Sequence, residues 1–390
     1  MDAVLKYLEH LNESESARSE ASREINSIVG MLRNGWTVEK IMMSLHGSKT
    51  VRKFKVELAK GRISASERFG RAGELWLDEF SSRYSTPEII AQYRSERLSE
   101  FNILDIGSGA GLQSIFFGMN TQVTGIEQDR RRFLLAKLNR HVYRESSAEF
   151  LNASFPGDLD RVFVEPPLAI FSDPLRLPGR KSDPGKLSPS PMEVIKRLSG
   201  RTNVFVFDLP VLMKPGDVAI DGEYEYASVN GRLVRLTLYN GDIAEHPRSA
   251  IILPERRRYS GNPEVLTFRD GYSDYITVPD PALVKSGLLW KATGNYDFVR
   301  VSEDSRRLVL SSDSAAVDLP GEHYRLIATY NADDYTDKIS ELRPRSVYLR
   351  FGIGSDIYYK IRDRIKTGEN SELILYLFRH GEKILVCTKI

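Results

Sequence analysis

The sequence predicts an α/β protein built on a doubly wound parallel sheet that ends in an antiparallel hairpin. Three observations lead there. First, Ile103-Leu104-Asp105-Ile106 is an apolar run of strand length that passes into Gly107-Ser108-Gly109-Ala110-Gly111. Leu112, Ile115 and Phe116 then recur at helical spacing. Second, Val123–Ile126 reads as another strand at βαβ spacing and ends in Glu127. Third, Tyr224–Val229 and Arg232–Tyr239 are alternating strands around Asn230-Gly231, the signal for a hairpin with a type I′ turn.

The other elements follow in chain order. Residues 1–96 read as helical: Val4, Leu8 and Leu11 share one face, and Ile25, Ile28, Val29 and Leu32 keep i, i+3, i+4, i+7 spacing. Thr37 predicts the cap of a helix through Leu45. Thr86-Pro87-Glu88 predicts another start, with Thr as N-cap, Pro in the first helical position and Glu facing the dipole. Beyond the first two strands, a helix spans Arg130–Tyr143, a weak strand lies near Glu149–Asn152, and further strands are expected at Arg161–Val164 and Asn203–Phe207. The stretch after Tyr239 is mixed polar and aromatic without a clean helical period. From Tyr324 a compact βαββ-like unit is expected, with strands at 324–330, 346–351, 373–378 and 383–388 and helices at 334–342 and 355–366. The expected division is therefore a helical region (1–96), a nucleoside-cofactor domain (97–245), a β-rich connection (246–323) and an α+β domain (324–390).

Composition narrows the function classes. At 390 residues the chain is long enough for two or three domains. With 41% hydrophobic and 28% charged residues it has the balance of a globular protein. No apolar run approaches the roughly 18 residues that would span a bilayer, and the N-terminus lacks a signal-peptide pattern. One cysteine, Cys387, and six histidines leave no basis for a disulfide or a Cys/His metal cluster, so no metal is expected and a reducing cytoplasm is the expected compartment. The net charge of +2 conceals basic stretches. Lys49, Arg52, Lys53, Lys55, Lys60 and Arg62 face one acid, Glu57; Arg176, Arg180, Lys181 and Lys186 form a second group, and Arg256–Arg258 a third. Each is either solvated surface or part of a footprint for nucleic acid.

Spacing identifies the cofactor class. Glycine has no Cβ, so the loop can turn sharply and let a ligand lie against backbone N–H groups at a helix N-terminus. A carboxylate at the tip of the second strand, here Glu127, is placed to grip a ribose diol. The dinucleotide fingerprint requires Gly-x-Gly-x-x-Gly, whereas here the third glycine comes one residue early and Asp105 sits two residues before the first. This Asp-x-Gly-x-Gly-x-Gly pattern resembles the first motif of class I S-adenosylmethionine-dependent methyltransferases, a Rossmann-like family. The resemblance implies S-adenosyl-L-methionine as cofactor, with Asp105 ordering its ammonium group. The expected cofactor contacts are Asp105, Gly107, Ser108, Gly109, Gly111 and Glu127, with Gln128 and Asn152 beside them.

In that family the methyl acceptor sits beyond the carboxyl end of the fourth strand. With that strand at Arg161–Val164, the acceptor loop is Glu165-Pro166-Pro167-Leu168, and Glu165, Pro166 and Pro167 become the catalytic candidates. The loop resembles the Asp/Asn-Pro-Pro-aromatic motif of base-amine methyltransferases, departing from it at Glu165 and Leu168. Cys387 lies in the last expected strand, where a small buried hydrophobe is its natural role, so attack on pyrimidine carbon through a thiolate is not expected.

Over most of its length the chain also resembles a group of microbial class I methyltransferases with a C-terminal THUMP-like domain. Matching features include Arg68-Phe69, Trp76, Thr86-Pro87-Glu88, the glycine loop, Gly179-Arg180, Lys214-Pro215-Gly216, the hairpin, Pro279-Asp280-Pro281-Ala282 and Lys338 to Arg350. The fourth-strand loop of that group tends to read Asp-Pro-x-Arg-Arg, from which Glu165-Pro166-Pro167-Leu168-Ala169 departs. The resemblance implies methylation of RNA, tRNA or rRNA, with Lys338, Arg343, Arg345, Lys360, Arg362 and Arg364 as docking cations. Two alternatives remain open: a cofactor-binding, RNA-associated protein without catalysis, and a methyltransferase of a protein or small molecule.

Overall fold

A computed structural model describes residues 2–176, 184–304, 307–368 and 370–390. Gly179, Arg180 and Lys181 lie outside the described residues, as does the side chain of Arg362. The chain forms two compact units: residues up to Gly222 together with Thr237–Glu245, and Glu223–Leu236 together with His246–Ile390.

The first unit opens with six helices, α1 (Ala3–Glu13), α2 (Glu15–Arg33), α3 (Val38–Ser44), α4 (Lys49–Ala65), α5 (Glu79–Tyr84) and α6 (Glu88–Arg97). Asp2, Ser14, Thr37, Ser48 and Asp78 each accept a first-turn N–H, which is why α1 to α5 start where they do. At α6 the expectation shifts by one residue. Pro87 occupies the cap without a side-chain hydrogen bond, and Thr86 is buried instead of capping. Two cations of the basic run of α4, Lys55 and Arg62, are buried. Lys55 pairs with Glu24 at 2.5 Å, and Arg62, 3% exposed, donates to the Leu75 and Ser22 carbonyls and to Asn26 Oδ1. These cations hold helices together and are not available as a nucleic-acid footprint.

A parallel sheet follows. Its strands are β1 (Asn102–Ile106), β2 (Val123–Ile126), β3 (Glu149–Leu151), β4 (Leu168–Ser172) and β7 (Val204–Leu209), in the spatial order β3-β2-β1-β4-β7. Helices α7 (Leu112–Phe117), α8 (Arg130–Val142) and α9 (Pro191–Leu198) and the short antiparallel pair β5 (Leu175–Arg176) and β6 (Leu187–Ser188) lie between them in sequence. This is the expected α/β sheet, with one correction. The fourth strand is Leu168–Ser172, not Arg161–Val164: Leu168 pairs with Asn102 and Ser172 with Ile106. The physical reason is burial. Leu168–Ser172 is buried throughout, while Phe163 is 75% exposed. A proline pair can end a strand or precede one, and here Pro166-Pro167 precedes it.

In the second unit the hairpin is as expected, between β8 (Glu223–Val229) and β9 (Arg232–Asn240), whose residues from Thr237 belong to the first unit. Asn230 and Gly231 both have positive φ, 49° and 70°, as a type I′ turn requires. Strand β10 (Arg248–Leu253) runs parallel to β8 and β11 (Arg257–Gly261) antiparallel to β10. The unit's other sheet has seven strands in the order β13-β14-β12-β15-β18-β17-β16. These are β12 (Tyr275–Pro279), β13 (Val299–Asp304), β14 (Arg307–Ser312), β15 (Gly321–Asn331), β16 (Ser346–Leu349), β17 (Ile374–His380) and β18 (Lys383–Lys389), with helices α10 (Pro281–Ser286), α11 (Tyr335–Glu341) and α12 (Ser355–Arg364). The elements expected from Tyr324 onward are all present. Strands β12 to β14, from the stretch with no clear period, enter the same sheet through the β12–β15 pairing.

Among the described residues no helix is long and apolar enough to cross a membrane, and no cluster of His, Cys, Asp or Glu could hold a metal ion. Cys387 is fully buried in β18 beside Tyr324, Phe378 and Leu385, and burial pushes its thiol up to about 12. The triplet Arg256–Arg258 is also partly committed: Arg258 pairs with buried Glu223 at 2.7 Å, and Arg257 donates to Tyr259 Oη and the Asp318 carbonyl.

Candidate cofactor and acceptor site

The site lies at the carboxyl ends of β1, β2 and β4 in the first unit. Strand β1 delivers the chain into the glycine loop, where Gly107, Gly109 and Gly111 have φ of 78°, 58° and 82°. Such angles are strained for a residue with a Cβ. The three glycines differ in what surrounds them. A Cβ at Gly107 or Gly109 would meet nothing within 4 Å, whereas one at Gly111 would meet Phe150 Cζ at 2.6 Å and Ala136 Cβ at 2.8 Å. The first two therefore leave bare backbone facing open space, and the third lets α7 pack against α8 and β3.

Glu127, 5% exposed, is tied to this loop. Its Oε2 accepts from the Gly109 N–H at 2.9 Å and its Oε1 from the Asp129 N–H at 2.8 Å. Asn152 Nδ2 donates to the Glu127 and Gln128 carbonyls at 2.8 and 3.1 Å, so Asn152 holds the backbone of those two residues. Asp105, 2% exposed, accepts from Ser114 Oγ at 2.5 Å. Burial pushes its carboxyl up to about 7; the Ser114 hydrogen bond opposes the rise, while the charges of Asp173 and Glu127 add to it. The Ser108 hydroxyl is buried and has no hydrogen-bond partner among the described residues.

Asp105, Gly107, Ser108, Gly109, Gly111, Glu127 and Gln128 line a single pocket of about 310 Å³. Asn152 is outside its lining and adjoins it through the Glu127 and Gln128 carbonyls. Glu165, Pro166 and Pro167 are not brought to it. The Pro167 carbonyl accepts from the Asn102 N–H and the Glu165 carbonyl from Asn102 Nδ2, so this exposed segment flanks the first residue of β1. At about 3.3 Å per residue, the opposite end of that strand is roughly 13 Å away. What does follow β4 is Asp173-Pro174-Leu175-Arg176. Ser172 Oγ donates to the Ile106 carbonyl at 3.1 Å, which sets Asp173 beside the start of the glycine loop, and Asp173 and Leu175 line the pocket. The four residues fit the Asp-Pro-x-Arg part of the pattern from which the Glu165 loop departs. The signal was in the sequence, as an apolar run followed by Asp-Pro, but the competing Val-Phe-Val run upstream obscured it.

The helical region adds Phe80, Tyr84 and Thr86 to the pocket wall. The Arg132 guanidinium lies 4.5 Å from the Phe80 ring centroid. Beneath the pocket Arg94, 1% exposed, donates to Gln113 Oε1 at 2.7 Å, Asp208 Oδ1 at 2.5 Å and Thr237 Oγ1 at 3.0 Å. It thereby joins α6, α7, β7 and the end of β9. Neither feature is visible in the sequence, because both depend on tertiary contacts between distant segments.

No family model and no curated protein matches the sequence. Among solved structures, a candidate methyltransferase from Porphyromonas gingivalis W83 is similar over 94% of this chain and 98% of its own, with a TM-score of 0.72 and 16% identity. This is a shared fold over nearly the whole chain. Local likenesses include the N-terminal domain of human METTL16 in complex with SAH (TM-score 0.34, 15% identity, 55% of this chain and 93% of that one). Another is human methyltransferase 10 domain containing protein (TM-score 0.32, 17% identity, 48% and 97%). The fold is thus an α/β fold shared with the Porphyromonas gingivalis structure.

Proposed function

We propose that the protein is an S-adenosyl-L-methionine-dependent methyltransferase acting on RNA. The observation that carries this reading is the convergence in one pocket of Asp105, the glycine loop, Glu127 and Asp173. The residues fit the cofactor: Gly107 and Gly109 leave open space above bare backbone, and the Ser108 hydroxyl lacks a partner among the described residues. Glu127 would hold the ribose hydroxyls, Asp105 the ammonium group, and Gln128 would lie beside the nucleoside. The cofactor, when bound, supplies an electrophilic methyl group. Asp173, following β4, would accept a hydrogen bond from the acceptor N–H or O–H and orient its lone pair, the role first expected of Glu165. RNA as substrate rests on the resemblance and on exposed cations of the second unit, Arg343, Arg345, Lys360 and Arg364. Lys338 is partly engaged by Glu341 at 3.5 Å. The THUMP-like character of residues 324–390 and a cytoplasmic setting belong to the same proposal.

Calorimetry tests the cofactor directly. Wild-type protein should bind S-adenosylhomocysteine but not NAD, and Glu127→Ala should weaken binding by about 1.5–3 kcal/mol through loss of charge-assisted hydrogen bonds. Absence of binding by well-folded wild-type protein would overturn the reading. Mass spectrometry of modified nucleosides from strains with and without the gene would then identify the acceptor.

A further inference from the structure

Two aromatic rings stand at the rim of the pocket in the first unit. Phe80 and Tyr84 lie one turn apart on α5, are 43% and 52% exposed, and have ring centroids 4.6 Å apart. Both line the pocket, and both also line a second depression with Lys60, Ser64 and Arg83. Their mount is fixed. Asp78 caps α5 by accepting from the Ser81 N–H at 2.7 Å, and the Arg68 guanidinium donates to the Ser82 and Ser85 carbonyls. A Cβ at Gly61 would overlap the Leu77 carbonyl, so α4 packs hard against the chain entering α5. The Arg132 guanidinium, which has no ion pair among the described residues, rests near the Phe80 ring at 4.5 Å. Phe80 is thus held from one side, and Tyr84 keeps the more exposed ring.

The charge of the pocket narrows what can meet these rings. Its lining holds four carboxyl groups, Asp105, Glu127, Asp173 and Glu193, against one cation, Arg132. The proposed function assigns Asp105 and Glu127 to the cofactor and Asp173 to the acceptor, which leaves Glu193 without a role. Glu193 sits in the first turn of α9, where its N–H donates to Ser190 Oγ at 3.2 Å. It has no ion pair among the described residues. Two carboxylates at the acceptor end repel an anionic nucleophile such as a carboxylate or phosphate, and both can accept from N–H groups. Leu175 and Pro189, from the segments after β4, add apolar surface to the same pocket. Aromatic and apolar walls suit a flat ring, and paired acceptors suit an amino group with two N–H donors. A lysine side chain offers no ring to stack, and its ammonium would have to lose a proton before it could attack.

We infer that α5 and α9 form the acceptor subsite, with Tyr84 stacking on a flat aromatic ring, Phe80 positioning Tyr84, and Glu193 joining Asp173 in holding an amino group on that ring. The inference rests on the proposed methyltransferase function and names the acceptor class. The ring nitrogen's lone pair forms the N–C bond as the S–CH3 bond breaks; the electron pair of that bond goes to sulfur, and the surplus proton on nitrogen passes to Asp173 and then to solvent. The test uses the full chain, tritiated S-adenosylmethionine and extract from a strain lacking the gene, separated into RNA, protein and small molecules. Label should appear on a ring amine, and Tyr84→Ala should lower kcat/KM for the labelled fraction about 5- to 150-fold, the range for one stacked base. Tyr84→Phe should restore it. Glu193→Ala should lower kcat/KM about 10- to 150-fold, as expected for a lost charge-assisted hydrogen bond. S-adenosylhomocysteine affinity, measured in parallel, should be unchanged in all three variants, which also shows that they fold. An equal loss of that affinity in Tyr84→Ala would place the rings over the cofactor and overturn the inference. Label on a ribose hydroxyl or a protein side chain would overturn it too, as would wild-type kcat/KM in both alanine variants. Label on the ring amine of a small molecule would support the subsite and overturn RNA as the substrate. Failure of the wild-type protein to bind S-adenosylhomocysteine, or binding without transfer into any fraction, would strike the proposed function and the inference with it.

Discussion

Asp105 is the residue whose environment and proposed role are most tightly coupled. Its carboxyl is pushed up to about 7 from an ordinary 3.8, chiefly by burial. The folded state therefore favours the protonated form. This group's contribution to stability is fully present below about pH 4 and is lost as the pH rises through 7. Asp105→Asn should consequently gain stability relative to wild type between pH 4 and 7, measured by urea unfolding at several pH values. An ammonium group placed beside Asp105 would favour the ionised form, so cofactor binding at pH 6 should release a proton. Calorimetry in two buffers of different ionisation enthalpy would show that release in wild type and not in Asp105→Asn. Equal proton release in both would separate Asp105 from the ammonium. Asp173 and Glu165 form a second pair of residue-scale tests. Asp173→Asn should cut turnover about 100- to 10,000-fold with cofactor affinity nearly intact. Glu165→Gln should leave turnover unchanged, because Glu165 flanks the far end of β1.

At the scale of elements, the β1–loop–α7 turn is the most constrained part of the first unit. Gly111 combines a φ of 82° with a Cβ position already occupied by Phe150 and Ala136. Gly111→Ala should destabilise the protein by about 2–4 kcal/mol, since backbone strain and overpacking act together; thermal unfolding would measure it. Gly107→Ala carries the conformational cost without the clash and should be milder. The loop was legible in the sequence because its chemistry is local: strand, glycines and helix are contiguous. The type I′ hairpin was legible for the same reason. The fourth strand was not. Val162-Phe163-Val164 and Leu168-Ala169-Ile170-Phe171 are both apolar runs beside prolines, and only the register with β1 separates them.

At the scale of the whole molecule, the strands before and after Tyr324 are bound into one seven-stranded sheet. β15 bonds to β12 on one side and to β18 on the other. Truncation before Tyr324 would remove most of β15 and all of β16, β17 and β18, exposing Ile276, Val278 and Val309. Such a chain should lose the cooperative unfolding transition of the second unit and aggregate. A soluble truncated protein with β12–β14 still protected from hydrogen exchange would show that these strands fold without their partners. The basic stretches carry a related lesson. Lys55, Arg62 and Arg258 look alike in sequence to the cations of the C-terminal sheet, yet each is committed to an internal carboxylate or carbonyl. Charge in sequence does not reveal whether a partner waits across the fold.

By itself the sequence determined what depends on contiguous residues: the α/β class, the glycine loop with Asp105 and Glu127, the Asn230-Gly231 hairpin and the elements after Tyr324. Backbone conformation and periodicity are local properties, and neighbouring residues suffice to express them. Only the tertiary structure decided which Pro-containing loop follows β4, that Phe80, Tyr84 and Thr86 wall the pocket, and that Arg94 ties four elements beneath it. Each of those depends on strand register or on contacts between segments far apart in the chain, where many pairings satisfy the local pattern and burial selects among them.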